Sequence, residues 1–357
     1  MVFVQICPKY LKLAHYTALV IGQGIAGSLL AWRLLEAGQS VMVIDDAQPG
    51  SSSKVAAGLY NPITGRQMVK TWMADELFPT LPQFYDDLEE SLKTKFHYLL
   101  PIYRPFHSVE EQNDWQSKAA NSEYEIYINK LLTDSLGLDH LTDDYGGIKL
   151  NFSGFIDLPE MLESFRAYFR SKNMLIEKAF EYSKLDIGEL GCKYENFTSD
   201  RIIFCEGIDV SLNPFWSHLK FKPVKGEILN IKCDLPQNLI VNRGVFIIPR
   251  NGYFRVGSTY EHKVLDSQPT KRAKEYLEQK FLLNYKGKYE IVGHLAGIRP
   301  ATFDRKPFIG FHKKYKNVGI FNGFGTKGVS LAPYFSKMMI EHLINNSEIL
   351  NEVDANR

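Results

Sequence analysis

The sequence predicts an α/β fold in which a Rossmann-type dinucleotide-binding domain is interleaved with an α+β domain that contains an antiparallel sheet. Three stretches lead there. TALVI at 17–21, the glycine turn GQGIAG at 22–27, an apolar helical run and VMVID at 41–45 read as one β-α-β unit. Between 219 and 262, GEILNIKC, LIVNRGVFIIP and YFRVGSTYE are strand-like runs separated by turn residues, the mark of an antiparallel sheet. The glycine-turn pattern then returns in GIFNGFGTKGVSLAPYFSKMMIEHL, which reads as strand, turn and long helix.

In chain order, the leader Met1–Tyr16 carries Pro8, Lys9 and Lys12 within a mildly apolar stretch. Without a continuous apolar h-region and small-residue cleavage site, it reads as an extension and not a signal peptide. The first strand is uniformly apolar, as a parallel strand covered on both faces should be. Its helix is expected to stop at Gly38, a good C-terminal cap. From about Met73 to Tyr145, charged and aromatic-rich segments such as DELFPTLPQFYDDLEESL show helical spacing, and a different domain is expected to begin there. Residues 154–179 predict a turn, a helix opened by Pro159 and a short strand, and RIIFCEG at 201–207 another strand ending in glycine. The expected division is 17–75, 148–215 and 290–345 for the dinucleotide domain, with 76–147 and 216–289 for the second. A chain of 357 residues is long enough for two domains.

The composition excludes several classes. No segment approaches the roughly 20 apolar residues of a membrane span, and a net charge of +1 gives no global attraction for polyanions. Cysteines 7, 192, 205 and 233 have neither disulfide-framework nor metal-ligand spacing, so no metal is expected and the compartment reads as reducing cytoplasm.

In the β-α-β unit, Gly22 permits the tight turn, Gly24 admits a pyrophosphate and Gly27 lets helix pack on strand. Backbone N–H groups at the helix start then face phosphate. Asp45, at the end of the second strand, is placed to accept both ribose hydroxyls of an adenosine, and its charge disfavours a 2′-phosphate.

Four further blocks carry a resemblance: SSSKVAAGLYNP at 51–62, CEG at 205–207, GIRPATFDRKPFIG at 297–310 and NGFGTKGVSLAP at 322–333. In this order, and together with the β-α-β unit, they resemble the D-amino-acid-oxidase superfamily of FAD enzymes over nearly the whole chain. That group includes glycine oxidase, sarcosine oxidase and the oxidoreductase half of the bifunctional enzyme that makes 5-methylaminomethyl-uridine in tRNA. The resemblance implies FAD as cofactor, with Ser53, Ala57, Gly58 and Gly207 lining its site. It also implies that the loop of Gly323, Gly325, Thr326, Lys327 and Gly328 stabilises negative charge on reduced flavin. No cysteine lies at 300–320, where sarcosine-oxidase-like relatives attach flavin, so FAD is expected to be non-covalent.

Arg299 matches the arginine that clamps the substrate carboxylate in amino-acid-oxidising members, work that suits a planar, bidentate guanidinium. The plainer reading of Arg299 is a structural arginine that pairs with Asp304 or caps backbone carbonyls. Phe246 stands where glycine oxidase has a tyrosine; it can wall a pocket but has no hydroxyl to offer. The resemblance thus implies C–N oxidation of an amine or amino-acid-like small molecule. It leaves open, as an alternative, the carboxymethylaminomethyl group of a tRNA wobble uridine, for which Lys70, Arg66, Arg104, Lys220, Lys222 and Lys225 would have to gather into a phosphate-contacting patch.

Overall fold

The computed structural model describes residues 14–48, 50–64 and 69–357. Strand β1 (Ala14–Ile21), helix α1 (Ile25–Glu36) and strand β2 (Val41–Ile44) form the expected unit. Gly38 follows the helix with φ +72°, the left-handed conformation that glycine adopts most cheaply. The first strand begins at Ala14, three residues before the expected start, because Ala14, His15 and Tyr16 pair in parallel with Phe197, Thr198 and Ser199. Of the leader, residues 1–13 lie outside the described residues.

The parallel core of the first sheet runs Leu175–Ile176, β2, β1, Phe197–Phe204 and Val318–Asn322. An antiparallel extension, Leu185–Ile187 and Cys192–Tyr194, continues one edge. Helices α1, Leu158–Ser171 and Gly328–Asn345 cover this sheet, and buried Leu29, Leu30, Phe165, Phe169, Phe335 and Met339 belong to one core with Val20 and Val43.

The second sheet has eight strands in the order 289–299, 224–233, 253–257, 245–250, 240–243, 102–105, 147–150 and 128–132. It is antiparallel except where Ile240–Arg243 runs parallel to Ile102–Pro105. Two features differ from expectation. Residues 73–145 are not helical throughout: Ile102–Pro105 and Ile128–Leu132 join this sheet, recruited by strands distant in sequence that no local periodicity reveals. Tyr289–Arg299 pairs along its length with Val224–Cys233, and Gly147–Leu150 also lies in this sheet. Those segments therefore leave the first-sheet region to which 290–345 and 148–215 had assigned them, and we place the division after residues 150 and 299.

Candidate active site

A cavity of about 2270 Å³ opens between the two sheets, lined from Gly22 and Asp45 at one end to Phe246, Arg299 and the 322–330 segment. It far exceeds the roughly 300–1,000 Å³ usual for a single small ligand, leaving room for an extended cofactor and a substrate together.

Its floor is the glycine turn. Gly22 has φ +97°, and a Cβ there would lie 2.6 Å from the Cys205 carbonyl oxygen. A Cβ on Gly27 would fall 1.8 Å from the Gly22 carbonyl oxygen, so α1 packs on the turn only because that atom is absent. Gly24 differs. Its φ is −75°, and a Cβ would meet only the Ser53 hydroxyl, at 3.2 Å. The protein's own packing constrains this position less than it does Gly22 or Gly27, since only the Ser53 side chain would have to give. Ser53 Oγ accepts from the Ile25 N–H at 3.2 Å, which places Ser53 at this turn.

The start of α1 meets the start of helix Gly328–Asn345: a Cβ on Gly328 would lie 3.1 Å from Ile25 Cγ2. Two helix N-termini, each with free N–H groups and a positive dipole end, thus converge on the cavity and favour an anionic ligand. The approach to the second helix needs left-handed backbone at Gly323 (φ +87°) and Gly325 (φ +55°). Asn322 ties this loop to the strand end beyond Phe204 by donating to the Gly207 carbonyl at 2.8 Å. Thr326 lines the cavity beside them.

Asp45 is more heavily used than expected. Its Oδ1 accepts from the Ala47 N–H and from Arg166 Nη1, both at 2.8 Å, and its Oδ2 accepts from the Gln23 N–H at 2.8 Å. With about two acceptor sites per oxygen, Oδ1 is filled and Oδ2 keeps one place for a ligand hydroxyl. Arg166, buried on helix Leu158–Ser171, also donates to Gln23 Oε1 at 2.6 Å and pairs with Glu177 at 3.0 Å. Nothing in the local sequence marks Arg166, because its partner lies on another element.

The 56–58 segment forms one wall. A Cβ on Gly58 would sit 1.8 Å from the Ile156 carbonyl oxygen. From the second sheet, buried Arg250 and Arg255 donate to the Ala57 and Ala56 carbonyls at 2.7 and 2.9 Å. These arginines tie the second sheet to the 56–58 wall and were not singled out by the sequence.

At the far end, the Arg299 guanidinium donates to Ser258 Oγ at 2.7 Å and the Thr259 carbonyl at 3.2 Å, and its Cζ stands 4.9 Å from the Tyr260 ring centroid. Of the two structural partners considered, Asp304 is not one, since that carboxylate pairs with Arg357 at 3.1 Å, whereas the Thr259 carbonyl does accept from Arg299. Burial pulls the Arg299 pKa down from its ordinary value, while Tyr260 opposes the shift. Phe246 lies opposite Gly257 in the sheet and lines the cavity. Lys327 donates to Thr71 Oγ1, and burial, reinforced by nearby Arg305, lowers its pKa. No carboxylate pairs with Arg299 or Lys327 among the described residues.

The matching of the family model decides what such a cavity holds. The model described as FAD dependent oxidoreductase, DAO, fits residues 17–342. The chain belongs to the DAO family of FAD-dependent oxidoreductases. Glycine oxidase of Pseudomonas aeruginosa is 24% identical over 354 residues, covering 93% of this chain and 96% of the relative. The tRNA 5-methylaminomethyl-2-thiouridine biosynthesis bifunctional protein of Legionella pneumophila is 23% identical, but the match covers 82% of this chain and only 45% of that protein. Among solved structures, iminodiacetate oxidase from Chelativorans sp. BNC1 superposes with a TM-score of 0.79 at 17% identity, covering 94% of this chain and 98% of that one. Glycine oxidase from Geobacillus kaustophilus gives 0.73 at 17% identity, covering 94% and 96%.

The residues present fit FAD. The glycine turn brings no Cβ to the start of α1 at Gly24, two helix N-termini meet at the cavity and would favour phosphate, and Asp45 keeps one acceptor site. Of the six basic residues considered for RNA, three are neutralised by carboxylates, and Lys220 and Lys222 have no carboxylate partner among the described residues. Lys70 pairs with Asp75, Arg104 with Glu111 and Lys225 with Asp266, Lys225 being buried; Arg66 lies outside the described residues. No described helix is long and apolar enough to cross a membrane, and the described residues hold no group of side chains suited to a metal.

Glu206, just beyond strand Phe197–Phe204, also lines the cavity. It accepts from Asn213 Nδ2 at 2.8 Å and from the Tyr182 hydroxyl, and burial raises its pKa from 4.5 to about 7. A raised folded-state value means that this group's stabilisation is complete below pH 4.5 and is lost as pH rises through about 7. Glu206→Gln is therefore expected to flatten stability against pH across that window, by about 1–3 kcal/mol. Melting temperatures of both proteins at pH 4.5–8.5 check this; parallel curves would show that Glu206 does not titrate there.

Proposed function

We propose that the protein oxidises the C–N bond of a small amine that carries a carboxylate, using non-covalently held FAD. The observation that carries this reading is Arg299, a partly buried cation on the cavity wall with only neutral partners. A guanidinium held by a hydroxyl, a carbonyl and a ring keeps its charge uncompensated, and a substrate carboxylate supplies the missing anion.

The bound FAD supplies the two-electron acceptor for a hydride from the substrate α-carbon. The remaining tasks fall to this chain. Arg299 fixes the carboxylate and so turns the α-carbon towards the cavity interior. Phe246 walls the substrate without competing for its hydrogen bonds. Lys327 and the N-terminus of helix Gly328–Asn345 would supply positive charge to offset the electron density the cofactor gains. As the α C–H bond breaks, the nitrogen lone pair closes a C=N bond, and water hydrolyses that imine to a carbonyl compound and the released amine. Free glycine is supported less well than N-substituted amino acids, since Phe246 offers no hydroxyl to a small polar substrate.

Anaerobic titration of the yellow protein with amino acids, N-methyl amino acids and other N-substituted glycines tests this. Saturable bleaching of the flavin by a carboxylate-bearing amine, and not by the decarboxylated amine, is the expected result. A flavin reduced by neither, or equally by both, overturns the proposal.

A further inference from the structure

Beyond Arg299 the cavity opens through a rim with its own chemistry. Phe303 and Tyr260 both line the cavity yet are 72% and 66% exposed, far more than aromatic rings that serve a core. Each carries a cation on its face: Lys222 Nζ is 5.6 Å from the Phe303 ring centroid, and Arg299 Cζ is 4.9 Å from that of Tyr260.

The backbone ties these groups together. Val224 is the register partner of Arg299, and the Lys222 N–H donates to the Ala301 carbonyl at 2.7 Å. Two residues span at most about 7 Å of extended chain, so Lys222 stands one short step outward from the Arg299 rung. Arg305, on the same 301–305 segment, also lines the cavity and lies close enough to Lys327 to depress its pKa.

Neither Lys222 nor Arg305 pairs with a carboxylate among the described residues. Three acids close to this rim are engaged elsewhere. Asp266 pairs with Lys225 at 2.6 Å, Asp304 with Arg357 at 3.1 Å, and Glu227 accepts from Thr270. Positive charge therefore continues outward from the carboxylate anchor to the mouth.

We infer that the substrate is a secondary amine whose nitrogen bears a second, anionic arm, received at the mouth by Lys222 and Arg305 between the rings of Tyr260 and Phe303. This rests on the reading of Arg299 as the anchor of the first carboxylate. The bond broken is the same: the α C–H on the Arg299 side loses its hydride to the cofactor, the imine is hydrolysed by water, and the amine leaves with its anionic arm.

The test compares iminodiacetate with N-(carbamoylmethyl)glycine, its neutral near-isostere, with sarcosine as the armless reference. Rates of anaerobic flavin reduction are measured at low and high salt. The wild-type protein is expected to prefer the diacid over the amide by about 5- to 20-fold at low salt, the preference shrinking as salt screens exposed charges. In Lys222→Gln/Arg305→Gln the diacid-to-amide ratio falls to near one, and Lys222→Glu reverses it, with flavin content and melting temperature confirming a folded holoprotein. An amide that reacts as well as the diacid in the wild type, or a preference that survives the double substitution, overturns this inference alone. If no member of the series, sarcosine included, reduces the flavin, the Arg299 reading fails and this inference with it.

Discussion

Gly24→Ala is expected to yield a folded but colourless protein, whereas Gly27→Ala is expected to lose the fold of the first sheet. The two glycines belong to one turn yet answer to different constraints. At Gly27 the new methyl would sit 1.8 Å from the Gly22 carbonyl oxygen and 3.3 Å from Cys205 Cβ. Backbone on one side and core on the other cannot both yield, so α1 must lift from β1, at a cost above the roughly 1–3 kcal/mol of ordinary overpacking. At Gly24 the methyl meets only the end of the Ser53 side chain, at 3.2 Å, with φ already in the region open to any residue. A few tenths of an ångström of movement accommodate it, and the loss falls on the ligand whose phosphate needs that space. Flavin absorbance after purification and melting temperature, measured together, separate the two outcomes. A Gly24→Ala protein that retains a full complement of flavin would show that the cofactor does not approach the turn there.

Arg299→Met is expected to cut kcat/KM for the preferred substrate about 10- to 100-fold, mostly through KM, while leaving the melting temperature unchanged or higher. The activity loss follows from about 1.5–3 kcal/mol for charge-assisted hydrogen bonds to a carboxylate. The stability expectation follows from burial. The guanidinium has no counter-charge, so an apolar side chain of similar length removes a desolvation penalty and gives up only its bonds to Ser258 and Thr259. Arg299→Lys keeps the charge but not the planar fork, and recovers part of the lost affinity. A marked fall in melting temperature that accompanies the loss of activity would instead assign Arg299 to structure.

How far the site could be read from the chain depends on the distance over which each constraint acts. The turn at 22–27, Gly38, the helix opened by Pro159 and the long helix from Gly328 all depend on residues a few positions apart, and their patterns show in any short window. Arg299 could be singled out through its block, but its freedom from Asp304 could not, because Arg357 takes that carboxylate across 53 residues. Asp45 was marked by its place at the end of β2, yet its partner Arg166 stands 121 residues away and removes one of its two expected ligand places. The strands Ile102–Pro105 and Ile128–Leu132 lay within a stretch of helical spacing and exist because the second sheet pairs with them.

By itself, then, the amino-acid order determined the dinucleotide unit, the interleaving of two kinds of sheet and the chemical identity of the residues at either end of the cavity. These rest on backbone geometry and side-chain type, which are local. Only the tertiary structure decided which cations are neutralised and which remain free: Lys225, Arg104 and Lys70 are paired, while Arg299, Lys222 and Arg305 have no carboxylate partner among the described residues. Charge pairing depends on distance in space and on solvent exclusion, and folding sets both.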